Sequence, residues 1–449
     1  MIPPKPTPRP DRVSLWRYMR LFRRDILSAQ PERLYHAWMA EFRTPFFRSY
    51  LANDPALLRT ILTERPRDFP KSNRIGEGLR PLLGNSVFLT NGATWEKQRR
   101  IIDPAFERGR LSHSLPAMWD AGGAMVARVL DMIGTGQQIE IEEITSRAAA
   151  DVIFRTLFSI PIDDKIAAEV FHEFRRYQRA QPILNLAAFV PLPQWVPRFH
   201  RSETKAAARR IRSLITDLTT RRMQAITKGT APDDLATRIM TTPDPQTGET
   251  FSVDDMVDQV AIFFLAGHET SASALAWALY LCAADPTWQT AIATEAVDLT
   301  HASQVKSLTL SRDVFRETLR LYPPVPMMVR ETTRPETFRK RAIPKAAQLA
   351  LSPWHLHRHT RLWDSPDAFD PARWQRPENR QSVRDAYMPF STGPRVCPGA
   401  GFAMAEGPLL LSMLLRRISL SPIPEKPPQP VAHLTVRAKD GIWLHAVPR

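Results

Sequence analysis

The chemistry of this 449-residue chain gathers first around one cysteine. The stretch reads Phe390-Ser391-Thr392-Gly393-Pro394-Arg395-Val396-Cys397-Pro398-Gly399 and runs into an Ala/Leu-rich helical pattern. A thiol at a helix start meets unpaired backbone N–H groups and the positive end of the helix dipole. Both favour the thiolate. A thiolate there serves as a nucleophile or as a metal ligand. Gly393 and Gly399 bracket the sulfur and leave room for something large and flat to approach. Arg395 offers a cation to an anionic partner. The plain alternative is an inert buried cysteine, and the loop around Cys397 argues against it.

A second group of residues lies within a long helical pattern. It opens with the capping box Ser252/Asp255 and continues to about residue 284. Its middle reads Ala266-Gly267-His268-Glu269-Thr270-Ser271. Gly267 weakens the helix by up to about 1 kcal/mol relative to Ala. A buried carboxylate and hydroxyl cost more unless they are satisfied. A Thr hydroxyl beside a carboxylate can hold a small ligand and relay protons to it. The alternative is a Thr bonding back to its own helix. Because polar groups are costly in lipid, residues 259–284 are read as a buried central helix and not as a membrane span.

The elements that must position these groups are mostly helical. Amphipathic spacing predicts helices over residues 31–42, 54–63, 111–133, 144–158, 163–180 and 202–228, with one starting near residues 91–94. Residues 46–51 read as a strand, residues 68–91 as a long irregular loop, and residues 1–12 as a loose Pro-rich segment without the apolar core of a signal peptide. Residues 181–199 form an apolar, proline-rich connection. Glu317 and Arg320, three apart, can pair on a short helix that Pro323 ends. His355, His357 and His359 would share a face on a strand, but they have no carboxylate or Cys partners. They are read as solvated or hydrogen-bonded side chains, not as a metal site.

Composition sets the class. The chain is 43% hydrophobic and 24% charged, which fits a globular protein with a large core. Its two cysteines imply no disulfide framework and suit a reducing cytosol, so a cytoplasmic location is expected. The net charge of +15 is scattered and not interleaved with aromatics. Nucleic-acid binding is therefore set aside in favour of an acidic protein or a carboxylate-bearing cofactor.

Phe390, Gly393, Arg395, Cys397 and Gly399 fall without a gap on the haem-binding loop of the cytochrome P-450 family, which this chain resembles. Other matches follow in the family's order. Trp95 and Arg99 resemble the helical pair that bonds a haem propionate. Ala266, Gly267, Glu269 and Thr270 match the oxygen-activating helix. Glu317 and Arg320 match the structural Glu-x-x-Arg pair, with Arg373 in the locking position although Ala372 stands where the family more often has Glu. Arg330 lies where many members place a second propionate arginine.

The resemblance implies a mainly α fold with a smaller β portion, a long central helix over the haem, and one catalytic domain over residues 13–449. It implies haem b with Cys397 as the axial iron ligand, whose thiolate favours O–O cleavage. Trp95, Arg99, Arg330 and Arg395 would neutralise the propionates, with Phe390, Gly399, Ala266 and Gly267 lining the group. Thr270 would bond dioxygen and Glu269 would help deliver protons. The reaction is then insertion of one oxygen atom into a lipophilic substrate, hydroxylation first. No Gly-x-Gly-x-x-Gly follows a strand and no cysteine cluster exists, so electrons are expected from a separate ferredoxin or flavodoxin with its reductase. Lys97 and Arg100 are expected to help receive that partner. A peroxide-driven enzyme and a haem sensor are the alternatives, and Glu269-Thr270 argues against both. A non-haem hydrolase would need a His partner for Cys397.

Overall fold

The chain is described by a computed structural model covering residues 1–43, 48–134, 138–180 and 202–449. The apolar connection read at residues 181–199 lies outside these residues. Helices of ten residues or more are α1 (Leu15–Arg24), α2 (Gly92–Ile102), α3 (Leu115–Ile133), α4 (Ile141–Phe158), α5 (Lys165–Ala180), α6 (Ser202–Thr227), α7 (Val253–Ala284), α8 (Pro286–Glu295), α9 (Thr309–Leu321) and α10 (Ala400–Leu415).

Helix α7 is the spine. Its 32 residues span about 48 Å at about 1.5 Å per residue. The capping box forms: Ser252 Oγ accepts from the Asp255 N–H, and an Asp255 carboxylate oxygen accepts from the Ser252 N–H, both at 3.1 Å. The helix is apolar nearly all round, as a helix buried on every side must be. It threads two apolar cores. Its first half, through Leu265, packs with α5, α6 and the second half of α4. Its second half, from Ala274, packs with α3, α9 and α10. Trp277 stacks on Tyr322 there, with ring centroids 4.0 Å apart. The polar residues 266–271 fall between the two cores. No helix among the described residues is long and apolar enough to cross a membrane.

The β portion is small. One sheet has the order β1 (Met39–Arg43), β2 (Arg48–Ala52), β4 (Gln348–Leu351), β3 (Met328–Glu331). β2 and β4 run parallel, and the other neighbours run antiparallel. Arg330 sits opposite Leu349 in this sheet. The strands Ile139–Glu140, Ile418–Pro422 and Trp443–Pro448 make a second sheet.

Three sequence expectations are corrected. Residues 31–42 are not a helix: a 3-10 turn at Glu32–Tyr35 leads into β1, because pairing with β2 satisfies the backbone and buries Leu34, Ala40 and Leu51 together. The loop at residues 68–91 contains helical turns at Asn73–Gly76 and Arg80–Leu83. Residues 1–12 are not loose. Pro4 O accepts from the Tyr322 hydroxyl at 2.6 Å, Met1 O accepts from Phe369 N at 2.9 Å, and Arg9 donates to Ala29 O at 2.6 Å.

Candidate active site

The sulfur loop is closed by its own backbone. Cys397 N–H donates to Phe390 O at 2.9 Å, and Val396 N–H donates to Gly393 O at 3.0 Å. Gly393 has φ +73°, and a Cβ there would lie 2.0 Å from Leu62 O. It is a glycine so that the loop can pack against the π-helical turn Thr60–Glu64, not to admit a flat group. Gly399 is different: a Cβ there would meet nothing nearer than Cys397 Sγ, at 3.9 Å. Gly399 is the cap residue of α10.

Cys397 is accessible to a water-sized sphere, yet protein atoms surround it almost completely. Both hold for a side chain on the wall of a recess. Burial raises its thiol above the usual range, opposed by the Gly399 N–H, Arg99 and Lys71. The expected bias toward thiolate is therefore corrected: in the protein alone, desolvation outweighs the loop's positive groups, and a bound metal ion must supply the rest.

Cations converge on the same place. The Arg395 guanidinium lies 4.0 Å from the centre of the Trp95 ring and donates to Asn91 Oδ1 at 2.8 Å and Thr90 O at 3.3 Å. Arg99 donates to Val396 O at 2.8 Å and pairs with Asp103 at 2.7 Å. Arg330 is 4% exposed, its recorded bond is a 3.3 Å contact to Val329 O, and burial lowers it to about 10. Arg395 is lowered to about 10 by burial and by Arg330 and Arg99. The fourth cation, Lys71, was missed in sequence. It bridges to Arg330 across the sheet edge, donates to Phe88 O at 2.8 Å, and is held well below its ordinary value by burial, then by Arg330, Arg395 and Arg99. No periodicity marks a lone Lys in a Gly- and Ser-containing loop, so only the fold could reveal it. Among the described residues, Arg99 alone of these four has an ion-pair partner.

The middle of α7 shows a stripe of accessible residues on an otherwise buried helix. Phe263, Ala266, Gly267 and Thr270 are exposed or half-exposed, and His268 and Glu269 are buried. The i, i+3, i+4, i+7 spacing puts the stripe on one face. The Thr270 hydroxyl donates to Ala266 O at 2.5 Å, the back-bond weighed in the sequence reading. Its oxygen still has lone pairs with which to accept a hydrogen bond. A Cβ on Gly267 would lie 2.4 Å from Ile153 Cδ1, so this glycine lets α4 approach α7 closely.

Glu269 points away from the stripe. It accepts from Gln178 at 3.0 Å and Thr435 at 2.6 Å, and it pairs with Arg437 at 3.1 Å. His268 is buried against Phe171 and Phe264, bonds Ser146 at 2.8 Å, and is pushed down to about 3 by burial. Ser271 donates to Glu406 at 2.6 Å and so ties the helix that follows Cys397 to the helix that carries Thr270.

Other sequence candidates resolve as structure. Glu317 pairs with Arg320 at 2.8 Å and with Arg373 at 3.0 Å, all fully buried. His355, His357 and His359 are not on a strand and not solvated. His355 lies in a helical turn at Pro353–Leu356 and the other two follow it; all are buried, and His355 bonds Ser352 while His357 accepts from Met388 N. No metal-holding group of His, Cys, Asp and Glu occurs among the described residues. Lys97 pairs with Glu249, and Arg100 makes a bidentate pair with Asp244, so neither side chain is a free docking cation.

The residues fit haem. A recessed thiol, a bare glycine beside it and four converging cations suit a flat metal complex that carries two carboxylates, since buried charges need partners. Comparison with known proteins agrees. A model of the cytochrome P-450 family matches residues 39–445. Cyclooctat-9-en-7-ol 5-monooxygenase of Streptomyces melanosporofaciens is 30% identical over 418 residues, covering 90% of this chain and 87% of that protein. Cytokinin hydroxylase of Arabidopsis thaliana is 28% identical over 400 residues, covering 86% and 76%. The solved haem domain of a cytochrome P-450DA mutant superposes with a TM-score of 0.81 at 23% identity, over 100% of this chain and 98% of that one, and supports the fold. The chain therefore belongs to the cytochrome P-450 family: it is a haem-thiolate monooxygenase that binds haem b through a cysteine thiolate and uses dioxygen and electrons from a redox partner to oxidise a lipophilic substrate.

Proposed function

We propose that Cys397 is the axial iron ligand, with Gly399 and the Phe390 carbonyl shaping the loop around it. The observation that carries this is the gathering of Lys71, Arg99, Arg330 and Arg395 beside the sulfur with too few carboxylates to match them. Haem supplies the missing carboxylates and the redox chemistry. Arg330 and Lys71 would hold one side of its edge, and Arg99, Arg395 and the Trp95 ring the other. The small Ala266 side chain on the accessible stripe leaves room for a substrate and dioxygen, and Gly267 beside it keeps α4 close against α7. The Thr270 oxygen would accept a hydrogen bond in that space while its O–H stays donated to Ala266 O. Glu269 sits at the rear of the stripe and must exchange one of its partners before it can take part in a proton relay.

The +15 charge suits an acidic ferredoxin or flavodoxin as the electron donor, and the paucity of cysteine suits the cytoplasm. The chain acts as one catalytic unit.

The test is a visible spectrum of the reduced protein under carbon monoxide. A strongly red-shifted Soret band is expected, and it should vanish in Cys397→Ala while circular dichroism stays unchanged. A red-shifted band that persists in Cys397→Ala would remove this residue from the iron.

A further inference from the structure

Helix α1 carries its charge in an unusual way. Trp16, Arg17, Arg20, Arg23 and Arg24 are all exposed, whereas Tyr18, Met19, Leu21 and Phe22 are half-buried toward the body. At 3.6 residues per turn, the five exposed side chains fall within an arc of about 120°. Trp16 is 81% exposed and lies inside the basic face, not on the apolar one. The helix contains no acidic residue in its first turn, and none of the four arginines has an ion-pair partner among the described residues. The acid at its end, Asp25, is buried and accepts from Leu27, Ser28 and Ala432 N–H groups. Among the described residues, nothing pairs with the four guanidiniums or covers the indole on this short face.

We propose that this face rests on an anionic lipid surface. Arginines at that depth meet lipid phosphates bidentately, and an indole prefers the boundary between headgroups and acyl chains. An acidic redox protein offers the same charge but no acyl boundary for Trp16. It must also come close to Cys397, whose loop packs on the turn at Thr60–Glu64 and on α2. Helix α1 lies elsewhere. Its end joins the Pro430–Ala432 strand, whose hairpin bonds Glu269 through Thr435, and Glu269 points away from the accessible stripe that carries Thr270. Seating there would hold the enzyme where lipophilic compounds concentrate.

The experiment is co-sedimentation of the full-length holoprotein with vesicles of phosphatidylcholine alone, or of phosphatidylcholine with phosphatidylglycerol. Binding is expected only to the anionic vesicles, and it should fall steeply between about 0.1 M and 1 M salt. Each arginine near the surface contributes roughly fivefold, so R17Q/R20Q/R23Q/R24Q should lower partition by about two orders of magnitude or more. Trp16→Ala should lower it severalfold at unchanged salt dependence. Haem content and turnover of a soluble substrate should not move, because these side chains have no ion-pair partners among the described residues. Equal sedimentation with neutral vesicles overturns the proposal, as does a quadruple variant that still binds. A quadruple variant that keeps vesicle binding but loses reduction by an acidic redox protein also overturns it and gives the face to that partner.

Discussion

Two groups of cationic side chains in this molecule have opposite charge balance. In the first, Glu317 accepts from Arg320 at 2.8 and 3.0 Å and from Arg373 at 3.0 Å, and the remaining guanidinium protons go to His357 O, Pro366 O, Ala368 O and Asp364 O. Every charge there has a partner inside the chain. In the second, burial and the neighbouring arginines lower Lys71 and Arg395, and Arg330 is buried with one long bond to show for it. A group that is saturated is a structural lock. A group that is buried and unmatched is half of a binding site, because the missing charge must arrive with a ligand. Glu406 shows the third case, an acid with no cation paired to it among the described residues. It is buried, has one oxygen unbonded, and is pushed up to about 8, so it stays protonated at neutral pH.

Removing one partner from each group separates them. Glu317→Gln has the largest effect. It strands two buried guanidiniums and should cost about 3–5 kcal/mol, read as a fall in the denaturation midpoint of both the haem-loaded and the haem-free protein. Arg330→Met should do the reverse. The haem-free protein should lose less than about 1 kcal/mol or gain slightly, since an unmatched charge is gone, while haem loss to an excess of acceptor protein should speed up about tenfold or more. Equal damage to the haem-free proteins would erase the distinction between lock and site.

The lock was legible in sequence because Glu317 and Arg320 are three apart on one helix. Arg373 was found only through the family pattern. The sulfur loop and α7 were legible for the same reason: their residues are local and the capping box marks a boundary. Lys71 was not, because a sheet edge brings it to Arg330 from 259 positions away in the chain. Gly393 was noticed for the wrong reason, since a sequence shows that room is needed but not for what. Residues 31–42 carry helical spacing, yet β2 lay in wait to pair with them, and tertiary pairing overrides weak periodicity.

The smallest effect concerns the lone acid. The folded pKa of Glu406 lies above its unfolded value, so the folded state holds a proton that the unfolded chain gives up. Stability therefore falls as pH rises from about 4.5 to about 8. Glu406→Gln keeps the shape and the Ser271 bond and should flatten that slope, as measured by denaturation midpoints at several pH values. An unchanged slope would mean that Glu406 ionises as freely in the fold as outside it.

The contact of Gly393 with Leu62 O also sets an order of events. The loop that carries the sulfur, near the C-terminus, takes its position from a turn laid down within the first seventy residues, and Arg395 takes its seat on Thr90 and Asn91. Such long-range contacts form slowly, because distant segments must meet before either is rewarded. A ribosome releasing the chain from its N-terminus would expose the cradle first and deliver the sulfur last. Haem capture should thus be among the final steps of maturation, and a nascent chain cut before residue 397 should fold much of its helical body while remaining colourless.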